Sequence, residues 1–312
     1  MKITFLDAMT LGDTPLDCIS SLGELTSWPL SSRAEALERV SDCEVLIVNK
    51  VTVDKALIDA APCLKLICES ATGTNNIDIE YAASKGIAVR NVAAYSTDSV
   101  AQQAFMHMLS LMGDAPYFDG RVKDGTYSAM STFNDPSKPF MEAAGKTIGI
   151  IGMGAIGFKV AAIATAFGMK VVYYSTSGTS HCTEYPSLSL DEILSTSDVI
   201  SIHAPMNDRT RGMIGKAELA RMKPTSYLLN LGRGGIVDEA ALAEAVDRGV
   251  IAGAALDVFC EEPLPADNPL LNVAHPERFR FSPHNAWASA EARLRLAEGV
   301  ARNIREYYLC DE

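Results

Sequence analysis

Short apolar runs alternate with helical patterns along the N-terminal third of the chain. Three runs are short enough to be buried strands, at 3–6, 45–48 and 64–68. Helical patterns separate them at 34–40, where Ser31 or Ser32 can act as N-cap, and at 54–60, where Asp54 can. Because fully apolar strands spaced by helices pair in parallel with both faces covered, this region is predicted to be α/β.

The rest of the chain repeats this pattern after a less regular stretch. A helical pattern at 99–112 places Val100, Ala104, Met108 and Leu111 on one stripe, whereas 113–145 is rich in Gly, Pro, Ser and Asp and is expected to be a surface excursion. Beyond it, apolar runs alternate again with helical patterns. Strands are predicted at 147–151, 170–174, 198–202, 227–230 and 254–256, and helices at 156–167, 191–195, 216–222 and 238–248. These elements predict a second doubly wound parallel sheet, with a boundary near residue 98.

A glycine-rich turn joins the predicted strand 147–151 to the helix that follows. Its six residues are Gly152, Met153, Gly154, Ala155, Ile156 and Gly157. Such glycines permit a tight turn, close backbone approach to a pyrophosphate and close packing of helix on sheet. The helix N-terminus adds free N–H groups and a positive dipole end. We therefore predict a dinucleotide site here.

The next strand does not end in the acid that usually binds the adenosine ribose. Ser175, Thr176 and Ser177 stand there instead. Hydroxyls neither require a ribose 2′-OH nor strongly repel a 2′-phosphate, so either NAD or NADP is expected. Arg209 or Arg211, on a later loop, would tip the balance if one approached the phosphate.

Composition and charge narrow the classes of function. The chain has 312 residues, enough for about two domains of ~150 residues. Its net charge of −12 argues against nucleic-acid and membrane-surface partners. Seven cysteines with no Cys-x-x-Cys spacing argue against disulfides and a zinc ribbon, and no metal site is predicted. Asp7 comes too early for a signal peptide, so we expect a cytoplasmic protein.

Three polar residues follow predicted strands in the second sheet, where such sheets bind ligands. Arg233 lies between Gly232 and Gly234, and Glu262 and His284 lie in later loops. Each alone has a structural interpretation, as a surface arginine, a turn acid or a loop histidine. Their combination is more informative than any one of them.

In order along the chain, these motifs resemble those of the D-isomer-specific 2-hydroxyacid dehydrogenase family. The resemblance spans nearly the whole chain and rests on the glycine turn, His203-Ala204-Pro205, Arg233, residues 257–263 and Pro283-His284. It implies a Rossmann-type cofactor domain at 99–287 and a flavodoxin-like substrate domain at 1–98 plus 288–312, with a hinge between them. It also implies a homodimer, with a dimerisation arm at about 99–145.

The resemblance also assigns roles to individual residues. Arg233 would hold the substrate carboxylate, His284 would be the acid/base and Glu262 its partner. Asp257 would face the nicotinamide amide. Further expected ligands are His203, Ala204, Pro205, Leu231 and Gly232 for the cofactor, and Ala71, Thr72 and Gly73 for the carboxylate. These types suit the chemistry, because an imidazole titrates near working pH and a guanidinium forks onto a planar carboxylate.

The expected substrate is a small 2-oxo or D-2-hydroxy acid. Residues 5–7, 49–51 and 283–289 look most like the glycerate dehydrogenase, or hydroxypyruvate reductase, branch. D-Lactate or a bulkier acid remains open. A 3-phosphoglycerate substrate is disfavoured because no basic cluster or C-terminal regulatory domain is visible, and Glu262 argues against formate dehydrogenase. A corepressor-like NAD(H)-sensing protein keeps the same three residues but has a partner-peptide cleft and disordered tails, whereas this chain ends compactly at Glu312.

Overall fold

The computed structural model describes residues 1–179 and 182–309, which form two compact units. Unit 1 comprises residues 1–96 and the segment that begins at Trp287, and unit 2 comprises residues 97–286. The sequence placed these crossings at 98/99 and 287/288. Residues 310–312 of the predicted substrate domain lie outside the described part of the chain.

Unit 1 is a five-stranded parallel sheet flanked by helices. Its strands are β1 (Lys2–Phe5), β2 (Glu24–Ser27), β3 (Val45–Val48), β4 (Leu66–Glu69) and β5 (Ala88–Arg90). Its helices are α1 (Asp17–Ser20), α2 (Arg33–Arg39), α3 (Lys55–Asp59), α4 (Ile79–Ser84) and α11 (Ala290–Leu309). Ser32 caps α2 in a capping box with Glu35, and Asp54 caps α3, as their positions in the sequence predict.

The strands of unit 1 lie in the order β2-β1-β3-β4-β5, which is the flavodoxin-like order. Alternate residues of the central strands face two separate cores, so that Val45 and Ile47 pack on one side and Leu46 and Val48 on the other. The C-terminal helix α11 completes the first of these cores. This confirms the predicted doubly wound α/β fold for unit 1.

Unit 2 is a six-stranded parallel sheet with its own helices. Its strands are β6 (Thr147–Ile151), β7 (Lys170–Tyr174), β8 (Val199–Ile202), β9 (Tyr227–Asn230), β10 (Gly253–Leu256) and β11 (Phe279–Phe281). Its helices are α5 (Thr97–Met112), α6 (Ala115–Lys123), α7 (Ala155–Ala166), α8 (Leu190–Thr196), α9 (Lys216–Leu219) and α10 (Glu239–Asp247). The strand order is β11-β10-β9-β8-β6-β7.

This order confirms a Rossmann-type sheet. Beside β7, a single parallel bridge from Tyr173 to Ser187 takes the place of the third strand of the usual order. From β6 the chain first adds β7 on one side, and it then crosses to the other side of β6 to add β8. The position between β6 and β8 is therefore the switch point at which such folds bind ligands.

One expectation about unit 2 was wrong. The sheet has six strands rather than five, because Phe279–Phe281 pairs with β10 at the edge. Its three residues include Arg280, so no apolar run marks it. The excursion at 113–145 contains α6, which buries none of its residues and therefore has no apolar stripe to reveal it.

Among the described residues, none of the helices has both the length and the apolarity that a bilayer crossing requires.

Candidate active site

The glycine turn lies between β6 and α7, at the switch point of the unit 2 sheet. Gly154 is the N-cap of α7, and no side chain caps this helix. A Cβ on Gly154 would find no atom within 4 Å, whereas a Cβ on Gly157 would lie 2.3 Å from the carbonyl oxygen of Gly152. The turn thus packs closely on one side and leaves open space at an uncapped helix N-terminus. This arrangement fits a dinucleotide pyrophosphate.

The residues of His203-Ala204-Pro205 lie against the same turn. A Cβ on Gly152 would lie 3.0 Å from the Cα of Ala204, and one on Gly232 would lie 2.8 Å from the carbonyl oxygen of Ala204. The structure therefore brings three predicted cofactor segments together at one edge. Nε2 of His203 lies 2.8 Å from the Ser201 hydroxyl, and burial lowers the pKa of His203 to about 4. His203 is neutral at pH 7.

The loop after β7 presents hydroxyls beside a guanidinium. Ser175 donates from Oγ to the carbonyl of Thr179 at 2.7 Å, and its Oγ lies 3.1 Å from Oγ of Ser177. Nη1 of Arg209 donates to the carbonyl of Ser177 at 2.5 Å. Of the two arginines considered from the sequence, Arg209 thus reaches this loop from the later loop after β8.

Arg233 projects from a loop that Asn230 organises. Asn230 ends β9; its Nδ2 donates to the carbonyl of Arg233 at 2.9 Å, and its Oδ1 accepts from the N–H of Gly232 at 3.1 Å. Nη1 of the half-buried Arg233 donates to the carbonyl of Gly232 at 2.8 Å. Sequence reasoning missed Asn230, although an amide that closes a buried apolar strand is a visible signal.

The loop that carries Arg233 packs directly on the loop that carries Glu262. A Cβ on Gly234 would lie 1.8 Å from the carbonyl oxygen of Phe259, so only glycine fits there. Glu239, another residue that the sequence did not reveal, holds the second loop from α10. Its Oε1 accepts from the N–H of Cys260 at 2.6 Å, and its Oε2 accepts from Nδ2 of Asn268 at 2.7 Å.

Glu262 and His284 form a direct pair. Oε1 of Glu262 accepts from the N–H of Phe259 at 3.0 Å, and Oε2 lies 2.6 Å from Nδ1 of His284. An ionised carboxylate only accepts hydrogen bonds, so Nδ1 carries a hydrogen. Nε2 is therefore the ring atom that can exchange a proton with a ligand.

Asp257 fixes the backbone around His284. Its carbonyl oxygen accepts from the N–H of His284 at 2.7 Å, and its Oδ1 accepts from the N–H groups of Asn285 and Ala286 at 3.0 and 3.1 Å. His284 has φ 52°, in the left-handed region that non-glycine residues rarely adopt. The Asp257 side chain is 2% exposed, and burial raises its pKa. Its contact with a nicotinamide amide stays a prediction.

The predicted carboxylate loop of unit 1 follows β4. The carbonyl of Ala71 accepts from the N–H of Val92 at 3.0 Å, and Oγ1 of Thr72 donates to the carbonyl of Val92 at 3.0 Å. The buried Glu69 precedes the loop, and its Oε2 accepts from Nδ2 of Asn76 at 3.0 Å. Burial raises the pKa of Glu69 to about 8, so most of this carboxyl is neutral at pH 7.

Comparison with known proteins gives a consistent result. A family model described as D-isomer specific 2-hydroxyacid dehydrogenase, NAD binding domain, matches residues 105–286. A putative 2-hydroxyacid dehydrogenase of Haemophilus influenzae is 35% identical over 309 residues, which cover 98% of both chains. A hydroxypyruvate reductase of Blautia hydrogenotrophica is 33% identical over 98% of this chain and 97% of its own.

A solved structure agrees over the full length. The D-lactate dehydrogenase of Aquifex aeolicus, complexed with NAD and lactic acid, superposes with a TM-score of 0.85 at 29% identity and covers 100% of this chain and 96% of its own. Structures similar to this chain hold NAD in one case and NADPH in another. The predicted cofactor, NAD or NADP, is confirmed at this level. The chain belongs to the D-isomer-specific 2-hydroxyacid dehydrogenase family and is a nicotinamide-dependent oxidoreductase.

Proposed function

We propose that this enzyme interconverts hydroxypyruvate and D-glycerate. The observation that carries the proposal is the 2.6 Å contact between Nδ1 of His284 and Oε2 of Glu262, which leaves Nε2 to exchange a proton with the substrate oxygen. In the reductive direction the bound NAD(P)H supplies a hydride to the carbonyl carbon. His284 gives a proton to the carbonyl oxygen and takes it back in the oxidative direction.

The other site residues have supporting roles in this proposal. The guanidinium of Arg233 forks onto the substrate carboxylate, a geometry that a lysine ammonium does not offer. In unit 1, the resemblance assigns carboxylate binding to the N–H groups of Ala71, Thr72 and Gly73. The glycine turn, residues 203–205, Leu231 and Gly232 hold the dinucleotide, and Asp257 faces its amide.

The choice of hydroxypyruvate rests on the residues at 5–7, 49–51 and 283–289 and on two similar proteins named hydroxypyruvate reductase and glycerate dehydrogenase. Other similar proteins are named glyoxylate reductase, so a comparison among substrates is needed. The test measures kcat/KM for hydroxypyruvate, glyoxylate, pyruvate and phenylpyruvate with both reduced cofactors, and the configuration of the product. We expect hydroxypyruvate to have the highest kcat/KM and to give the D-product. A higher value for another acid, or no turnover of any, would refute the proposal.

We also propose that the enzyme is a homodimer whose interface includes the arm at about 99–145. Apolar side chains of this arm are exposed in the single chain: Val122 by 58%, Phe133 by 90% and Phe140 by 65%. Large apolar side chains exposed on one segment are typical of a protein interface. Sedimentation of the wild-type protein and of Phe133→Asp tests this: the wild type should sediment as a dimer and the variant as a monomer. A monomeric wild type would contradict it.

A further inference from the structure

A buried histidine on α5 stands at the start of a hydrogen-bonded chain that ends beside His284. His107 is 3% exposed, although α5 otherwise buries apolar side chains such as Ala104 and Met108. Its Nε2 lies 2.9 Å from Oγ of Ser282, and that hydroxyl donates to Oδ1 of Asp257 at 2.6 Å. The sequence indicated only a core or edge residue at 107.

The direction of these hydrogen bonds follows from counting protons. The Ser282 hydroxyl has one hydrogen, which it gives to the Asp257 carboxylate, so its oxygen must accept from Nε2–H of His107. This requires that Nε2 of His107 carries a hydrogen. Burial, followed by the nearby Arg280 guanidinium, lowers the pKa of His107 and keeps it neutral. The amide of Gln103, 3.3 Å from the same nitrogen, can accept with its oxygen after a flip of the amide.

The chain acts on the segment that carries His284. Asp257 binds the N–H groups of Asn285 and Ala286 through its carboxylate and the N–H of His284 through its carbonyl. The hydrogen bond that Ser282 accepts from His107 polarises the Ser282 hydroxyl, so this hydroxyl donates more strongly to Asp257 and stabilises the ionised form that these N–H groups need. The left-handed backbone at His284 is held by the same contacts.

We propose that His107 is a positioning residue, which acts through Ser282 and Asp257 to hold His284 in its working orientation. The proposal rests on the proposed role of His284 as acid/base. His107 itself exchanges no proton with substrate, and the donor at its Nε2 is what matters. A side chain that supplies an N–H at the same reach should therefore replace it.

The test compares three variants of the full-length enzyme. His107→Leu keeps the bulk and loses the donor, and His107→Gln restores an N–H near the position of Nε2. Ser110→Ala is the matched control, because it removes the hydrogen bond from Nε of Arg280, 2.8 Å long, on the same helix but outside the chain to His284. The first readout is hydrogen exchange of peptides that cover 283–288 in the ligand-free protein. The second is kcat and KM for hydroxypyruvate.

In His107→Leu, exchange at 283–288 should accelerate by about two- to tenfold, as expected for one lost hydrogen bond. Its kcat should fall by a similar factor while KM changes little. His107→Gln should recover both values, and Ser110→Ala should match the wild type. Wild-type exchange in His107→Leu, equal acceleration in Ser110→Ala, or accelerated exchange with unchanged kcat would each overturn the proposal. A wild type that turns over no 2-oxo acid would instead refute the proposed function. The exchange data would still test the positioning role, because they are measured on the ligand-free protein.

Discussion

Nδ1 of His284 and Oε2 of Glu262 lie 2.6 Å apart, and the other oxygen of the same carboxylate is held by the N–H of Phe259. The Glu262 carboxylate is thus held by a backbone N–H of its own loop while it orients the imidazole. Two properties of the site follow from this contact: the orientation of the His284 ring, and a charge-assisted hydrogen bond from Nδ1 to the carboxylate.

Replacing the charge but not the shape separates these two properties. In Glu262→Gln the amide oxygen can still accept from Nδ1, but the charge-assisted hydrogen bond becomes a neutral and weaker one. We expect kcat for hydroxypyruvate reduction to fall by about 10-fold, because the imidazole is held less firmly in its working orientation. The measurement is kcat at one fixed pH, with Glu261→Gln, the neighbouring acid, as the control. A kcat in Glu262→Gln equal to that of the wild type would mean that Glu262 is only structural.

Arg233→Lys tests the forked contact with the carboxylate. A lysine keeps the positive charge but offers a point donor, so one of two charge-assisted hydrogen bonds is lost. We expect kcat/KM for hydroxypyruvate to fall by about 10- to 100-fold. Arg248→Lys, at an arginine paired with Glu244 at the end of α10, should leave it unchanged. An unaltered kcat/KM in Arg233→Lys would remove Arg233 from the site.

Two alanine substitutions in the glycine turn should impair different properties, one the stability of the protein and the other its affinity for the dinucleotide. In Gly157→Ala the new Cβ meets the carbonyl of Gly152 at 2.3 Å, so the free energy of unfolding should drop by about 1–3 kcal/mol. In Gly154→Ala the Cβ meets no atom within 4 Å, so stability should persist while dinucleotide affinity falls. Denaturant titration and calorimetric binding of NADH check both. Full affinity in Gly154→Ala would place the pyrophosphate elsewhere.

Cofactor preference should be weak. The hydroxyls of Ser175 to Ser177 can bind either a ribose hydroxyl or a phosphate. The guanidinium of Arg209 contacts the same loop through the carbonyl of Ser177. We expect NADH and NADPH to differ in kcat/KM by less than about a hundredfold, or roughly 2.7 kcal/mol. Ser175→Asp should shift the preference firmly towards NADH, and Arg209→Gln should weaken binding of adenosine 2′,5′-bisphosphate more than that of 5′-AMP. A wild-type ratio beyond a thousandfold, or no response to Ser175→Asp, would show that the ribose site lies elsewhere.

The sequence predicted the buried parts of the fold well, because their signal is local. The strands at 147–151 and 170–174 are apolar enough that their first and last residues can be predicted from the sequence alone. The N-termini of α2 and α3 are each set by one capping side chain. Edge strands carry less of this signal. Residues 24–27 and 279–281 hold polar side chains and become strands only because a neighbouring strand offers hydrogen bonds.

The residues proposed to do chemistry stand out in the sequence, but those that hold them do not. Arg233, Glu262 and His284 stand out through residue type and position after strands. Asn230 and Glu239 act through hydrogen bonds to loop backbone, and such bonds depend on a loop path that no periodicity describes. The same holds for His107, whose partner Ser282 is 175 residues away in the chain.

His284 is proposed as the proton donor of a nicotinamide-dependent reduction. The decisive measurement is kcat for hydroxypyruvate reduction in the wild type and in His284→Ala, with the Kd for the reduced cofactor determined on both. We expect kcat to fall by at least about 10²-fold, as is typical for loss of a general acid, while the Kd is unchanged. A variant that keeps most of its turnover would show that His284 is not the proton donor.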